Sequence, residues 1–260
     1  MTGSGRVAAS VRAGWHSFLR RRTAVFFTFF FPLLIVVIFG ALVQTQPRGG
    51  GLFTEPPVYY VPGYLAVVVL FTPLSRVGSE VARHRDGNRF EKLSTTPLSR
   101  TEWLLAQTVV NVVVIGLAAL MLLVLVVGLT GATIPLSPTV VALLVGYVVL
   151  GVALFCGVGA IIGSLAGSQD GVIAASNGIA LPLLFLSETF VPLDLLPAWF
   201  RPATTLSPLT YFARGVRATT SGRAVIPAGP VAPEFGYLLV LAGLAAVFVV
   251  LGARALPRTD

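Results

Sequence analysis

The sequence predicts an all-α membrane protein that crosses the bilayer six times, with both ends in the cytoplasm. Three observations lead there. Hydrophobic residues make up 55% of the chain and charged residues 11%, against roughly 25% charged in a soluble domain that must keep a solvated skin. The apolar residues are gathered into long charge-free blocks, as a bilayer requires. The basic residues fall between those blocks and concentrate in alternate connections.

The blocks give the spans in order. Thr23–Pro47 carries a first span near 24–43, and Pro56–Ser75 a second near 58–75. Trp103–Gln169 is charge-free and far longer than the roughly 20 residues one crossing needs. The Gly, Pro, Ser and Thr cluster Thr130–Thr139 divides it into spans near 104–129 and 140–165. A fifth span near 171–187 contains Asn177 and Pro182, and a sixth lies near 235–253. Arg20-Arg21-Arg22 before an apolar run could open a signal peptide. The run continues to Val43, however, beyond the usual short apolar region, so an uncleaved first span is expected. The apolar piece Glu188–Trp199 holds Pro192 and Pro197. It is expected to be re-entrant or interfacial, not a continuous helix.

Thirteen of the 18 Lys and Arg residues fall in the N-terminus, the second and fourth connections and the C-terminus; five fall in the others. The positive-inside rule therefore places both termini and the second connection in the cytoplasm. The formal net charge of +8 is spread between apolar blocks and not along one stripe or tail. That argues for anionic lipid headgroups as counter-charge and against nucleic acid. Cys156 is the single cysteine and lies in an apolar stretch, so it reads as a small buried hydrophobe. His16 and His84 have no companions suited to a metal, and no cofactor is expected.

Two polar segments stand apart from the spans. In residues 7–19, Val7, Ala8, Val11, Trp15, Phe18 and Leu19 share one arc opposite Arg6, Ser10, His16 and Arg20. This is the pattern of a basic amphipathic helix lying in the membrane interface. The second connection mixes four acids with six bases, all but Arg76 of them within residues 78–102. A polar helix is expected over Asp86–Leu93, then a turn at Thr95–Leu98, then a capping box from Ser99 to Glu102 that starts the next span. Phe90 and Leu93 are expected to be exposed there and in need of a surface to pack on.

Glu188 is an acid at the edge of an apolar stretch. It is either an intramembrane polar site or an interfacial residue hydrogen-bonded near Ser187 and Thr189, and nearby Asp194 favours the interface. The sequence holds no phosphate-cradling G-x-x-x-x-G-K-[ST] loop and no hydrolase or metalloprotease motif. Few charges lie within the spans, so energy for any transport would have to come from another chain.

Arg21-Arg22 with Phe29–Pro32 and Phe39-Gly40, the run Arg85-Asp86-Gly87 through Arg100, and Phe190–Pro192, Leu195–Phe200 and Ser207–Tyr211 ending at Arg217 resemble the membrane subunits of type-2 ABC exporters in order and spacing. The likeness covers almost the whole chain; Glu188 departs from it, since such proteins often carry glycine after the serine. It implies one transmembrane domain over residues 1–260: an efflux permease of the plasma membrane. Such a subunit pairs with a second permease, identical or not, and with a separate cytoplasmic ATPase. It also implies that Arg85, Asp86, Gly87, Arg89, Phe90, Glu91 and Leu93 form the helix that couples to that ATPase. Rival readings are a membrane enzyme acting on lipid or isoprenoid, whose acids would need a spacing for metal and diphosphate, and a non-catalytic scaffold. The sequence carries no substrate signature.

Overall fold

A computed structural model describes residues 3–38, 57–189, 193, 196–221 and 232–257. The described residues contain no strand. Their α-helices are α1 (Gly3–Arg20), α2 (Arg22–Val36), α3 (Val61–Asp86), α4 (Arg89–Ser94), α5 (Arg100–Thr130), α6 (Pro138–Leu165), α7 (Gln169–Leu186), α8 (Pro208–Ser221) and α9 (Pro233–Ala255). Five of these (α3, α5, α6, α7 and α9) are long and apolar enough to cross a membrane. The first expected span is represented by the 15-residue α2, and its end beyond residue 38 lies outside the described residues.

The second span differs from expectation. Its charge-free stretch ends at Ser75, yet α3 continues to Asp86 through Arg76, Glu80 and Arg83. A charge limits a span only where it meets hydrocarbon unaccompanied, and these do not. The Arg76 guanidinium lies 4.5 Å from the Phe18 ring centroid and donates to Asn111 Oδ1 at 3.4 Å, while Glu80 accepts from two arginines. The helix stops at Gly87, whose amide bonds Arg83 O at 3.1 Å, and Asn88 takes the left-handed φ of 50° that asparagine tolerates. The polar helix expected over Asp86–Leu93 therefore begins only at Arg89.

Local signals set the other helix ends. Ser99 Oγ accepts from the Glu102 amide at 3.2 Å and Glu102 Oε2 accepts from the Ser99 amide at 2.7 Å, a complete capping box. Gly131, with φ of 65°, ends α5. Ser137 and Ser168 cap α6 and α7 through hydroxyls 3.2 and 3.1 Å from the third following amide.

Helix α6 sits at the centre, packed against α3, α5, α7, α8 and α9. Glycines set its closest approaches. A Cβ on Gly163 would lie 2.3 Å from the Gly78 carbonyl oxygen of α3, and one on Gly159 2.6 Å from that of Leu74. Toward α9, a Cβ on Gly157 would lie 2.3 Å from the Phe248 carbonyl oxygen, and one on Gly252 2.6 Å from that of Gly157. Lipid tails are as apolar as the helices, so burial alone gives helices no reason to associate. Close backbone packing through small residues supplies that reason.

Helix α8 lies in the long fifth connection, between the re-entrant piece expected at Glu188–Trp199 and the last span, where the sequence predicts no helix. Leu209, Phe212, Ala213 and Val216 fall on a helical spacing and are all fully buried. Gly215 lies against the Tyr147 ring of α6, where a Cβ would come within 2.1 Å of it. Tyr147 also donates to the Glu234 carbonyl oxygen at the start of α9. Arg214 and Arg217, two of the basic residues of that fifth connection, are 4% and 1% exposed.

Gly157→Ala should lower the thermal unfolding midpoint of the detergent-solubilised protein, since the added methyl meets backbone that cannot rotate away. Overpacking of this kind costs about 1–3 kcal/mol. Gly116→Ala, with open space around its Cα, should unfold like the unaltered chain in the same scan.

Candidate functional site at the two ends of the bundle

At the end carrying most of the basic residues, the last turns of α3 meet α1, α4 and α5. Glu80 is the hub. Its Oε2 accepts from Arg21 at 3.1 Å and from Arg83 at 2.9 Å, so α3 holds the α1–α2 junction. His84, one turn on, donates from Nδ1 to the Glu80 carbonyl oxygen at 2.8 Å. Its ring meets Trp103 at 5.3 Å and Phe90 at 5.5 Å, and those two rings are 5.5 Å apart. Three edge-on or tilted aromatic contacts thereby join α3, α4 and α5. Arg6 adds a 2.8 Å ion pair to Glu102, tying α1 to the start of α5.

The sequence-selected residues divide between two elements here. Arg85 and Asp86 end α3, and Arg85 also reaches the Ser164 carbonyl oxygen of α6 at 3.4 Å. Gly87 caps α3, and α4 carries Arg89, Phe90, Glu91 and Leu93. Arg89 and Glu91 face solvent and Leu93 is half-buried. Phe90 corrects the expectation of an exposed apolar residue: it is only 9% exposed, because His84 and Trp103 supply its surface within the chain. Glu80, His84 and Trp103 were not singled out from sequence. The spacing of Glu80, Arg83 and His84 along one helix face was the available signal.

At the opposite end, Glu188 follows α7 and is 1% exposed. Arg214 of α8 grips its carboxylate from two nitrogens, with Nε 3.1 and 3.2 Å from the two oxygens. Thr204 Oγ1 donates to Oε1 at 3.3 Å. Arg217 donates from Nη2 to the Glu188 carbonyl oxygen at 2.6 Å, and its guanidinium lies 4.1 Å from the Tyr59 ring centroid just before α3. Ser187 and Thr189, expected as partners of Glu188, bond each other. The carboxylate instead turns inward to the strongest donor in reach, an arginine fork. Glu188 thus clasps α7 to α8, and Arg217 joins α8 to the entry of α3.

Residues 6–220 match the family model described as ABC-2 type transporter. The chain is 25% identical over 189 residues to a protein named "Putative transport permease ycf38" from Cyanophora paradoxa, covering 72% of this chain and 64% of that one. It is 23% identical over 154 residues to "Probable multidrug ABC transporter permease YbhR" from Escherichia coli (strain K12), covering 59% of this chain and 41% of that one. The chain therefore spans less than two thirds of the length of either relative.

The buried pair makes a quantitative expectation. Glu188→Ala leaves the Arg214 charge buried without its carboxylate, and loss of one partner from a buried pair costs about 3–5 kcal/mol. A variant carrying both Glu188→Gln and Arg214→Met should be less destabilised than the sum of the two single changes. Thermal unfolding of all four proteins in the same detergent reads this coupling, and strict additivity would contradict it.

Proposed function

The chain belongs to the ABC-2 type transporter family, and on that premise we propose that it is the membrane permease of an ATP-driven exporter. It works with a separate cytoplasmic ATPase and a second permease subunit. Six spans are part of this reading, with α2 as the start of the first. So are cytoplasmic termini, an interfacial position for α1 and a plasma-membrane location. The positive-inside distribution of Lys and Arg supports the orientation.

The observation that carries the coupling role is the aromatic clamp of His84, Phe90 and Trp103. An ATPase pressing on the exposed Arg89, Glu91 and Lys92 of α4 would find a helix that cannot move independently. Its displacement passes through Phe90 to α3 and α5 together. Helix α3 has 26 residues, about 39 Å at 1.5 Å per residue, enough to carry that displacement toward the opposite side. There Tyr59, Arg217 and Glu188 link the entry of α3 to α7 and α8. Glu188 in this account braces the outer gate. Nothing in the site selects a substrate class, and the multidrug label on the Escherichia coli relative makes drug-like amphiphiles the first compounds to assay.

Phe90 seats α4 and does not itself enter the ATPase. Phe90→Ala should lower ATP-dependent export by 10-fold or more, as an anchor worth about 2 kcal/mol implies, while membrane insertion stays normal and the ATPase still co-purifies in part. Reversing charge at the exposed positions, Arg89→Glu with Glu91→Arg, should weaken co-purification more than Phe90→Ala does. Paired pull-down and transport assays on these variants test the reading. Full export by an inserted Phe90→Ala protein would remove the clamp from the coupling path.

A further inference from the structure

Beside the clamp, a cleft of about 520 Å³ opens between the α4–α5 junction and the last two turns of α9. Its walls are apolar: Phe90, Leu93 and Trp103 on one side, Val249 and Val250 on the other. Its rim is basic. Arg100 is held there by a 3.0 Å bond from Nη1 to the Leu256 carbonyl oxygen, and Arg254 faces it from the last turn of α9. Among the described residues, no carboxylate lies within 4.0 Å of either guanidinium. An apolar slot with two uncompensated arginines at its mouth lies at the end of the bundle assigned to the cytoplasm.

We infer that this cleft binds an anionic phospholipid of the inner leaflet. The phosphate lies between Arg100 and Arg254, and the start of an acyl chain lies along Leu93, Trp103, Val249 and Val250. The charge pattern selects this occupant. A neutral lipid leaves both arginines without a counter-charge. A small soluble anion leaves the apolar walls wet. Basic pockets between transmembrane helices on the cytoplasmic side have this affinity for anionic headgroups, and arginine binds phosphate oxygens through paired N–H donors. The bound lipid touches Phe90 and Leu93 of α4 directly, so inner-leaflet composition would set how firmly α4 is seated. The site rests on the proposed orientation, with this end of the bundle in the cytoplasm, and not on coupling to an ATPase.

Native mass spectrometry of the full chain, equilibrated in detergent with phosphatidylglycerol or phosphatidylcholine, tests this. One phosphatidylglycerol should stay bound under activation that strips phosphatidylcholine. At about 1 kcal/mol per basic residue, Arg100→Gln with Arg254→Gln should weaken retention about 30-fold. Arg254→Gln alone, which breaks no side-chain bond among the described residues, should weaken it about 5-fold and serves where the double variant folds poorly. Arg20→Gln with Arg22→Gln, which alters basic residues elsewhere at the same end, should retain the lipid. Equal retention of both lipids, no loss in the Arg254→Gln protein, or displacement by millimolar inorganic phosphate would each overturn the assignment.

Discussion

The structure depends on one contact type: glycine of α6 against the backbone of its neighbours. At Gly157, Gly159 and Gly163 the facing chain comes so near that even a methyl group has no room. In a bilayer this closeness supplies what burial supplies in water, many short-range contacts between surfaces that lipid cannot wet as well. Helices α3 and α9 are thereby held to α6 as one body, and the polar features are mounted on the ends of that body. The clamp and the basic cleft sit where α3 and α9 finish. The ion pair sits where α8 packs back onto α6 through Gly215 and Tyr147.

Mounting matters for the charges. Glu188, Arg214 and Arg217 together carry one acid against two bases in a region with almost no solvent. Such a group survives only if its geometry is fixed, because the desolvation cost is regained only at short, well-directed contacts. The fork from Arg214, the Thr204 hydroxyl and the Tyr59 face provide that fixation. Each comes from an element held by the glycine-packed core. The opposite, basic end follows the same logic with less burial: Glu80 gathers Arg21 and Arg83, and His84 turns toward aromatic rings.

Much of this could be read from the residues in order. The capping box at Ser99 and Glu102, the break at Thr130–Thr139 and the turn after Ser94 are local, and local chemistry determines them. The extension of α3 past Arg76 was not readable, because Phe18 and Asn111 that accompany this charge arrive from other helices. Helix α8 was hidden for a similar reason. Its arginines look like a solvated loop until Glu188, 26 residues from Arg214, is brought beside them. Phe90 was identified as a residue needing a surface, but the sequence could not say that His84 and Trp103 provide it. Glu188 and Phe90 stand out in the sequence, but Arg214, His84 and Trp103, which complete them, come from other helices.

The central claim is that α4 is where an ATPase meets this permease, and site-directed cross-linking tests it most directly. Cys156 is buried, so a cysteine introduced by Glu91→Cys offers a single reactive position for a photo-activated probe. The account predicts an adduct with a chain that carries a phosphate-binding loop and hydrolyses ATP, with a yield that changes when nucleotide is added. A probe that labels with soluble reagents from the opposite side of the membrane, or that yields no ATPase adduct in actively transporting membranes, would contradict it.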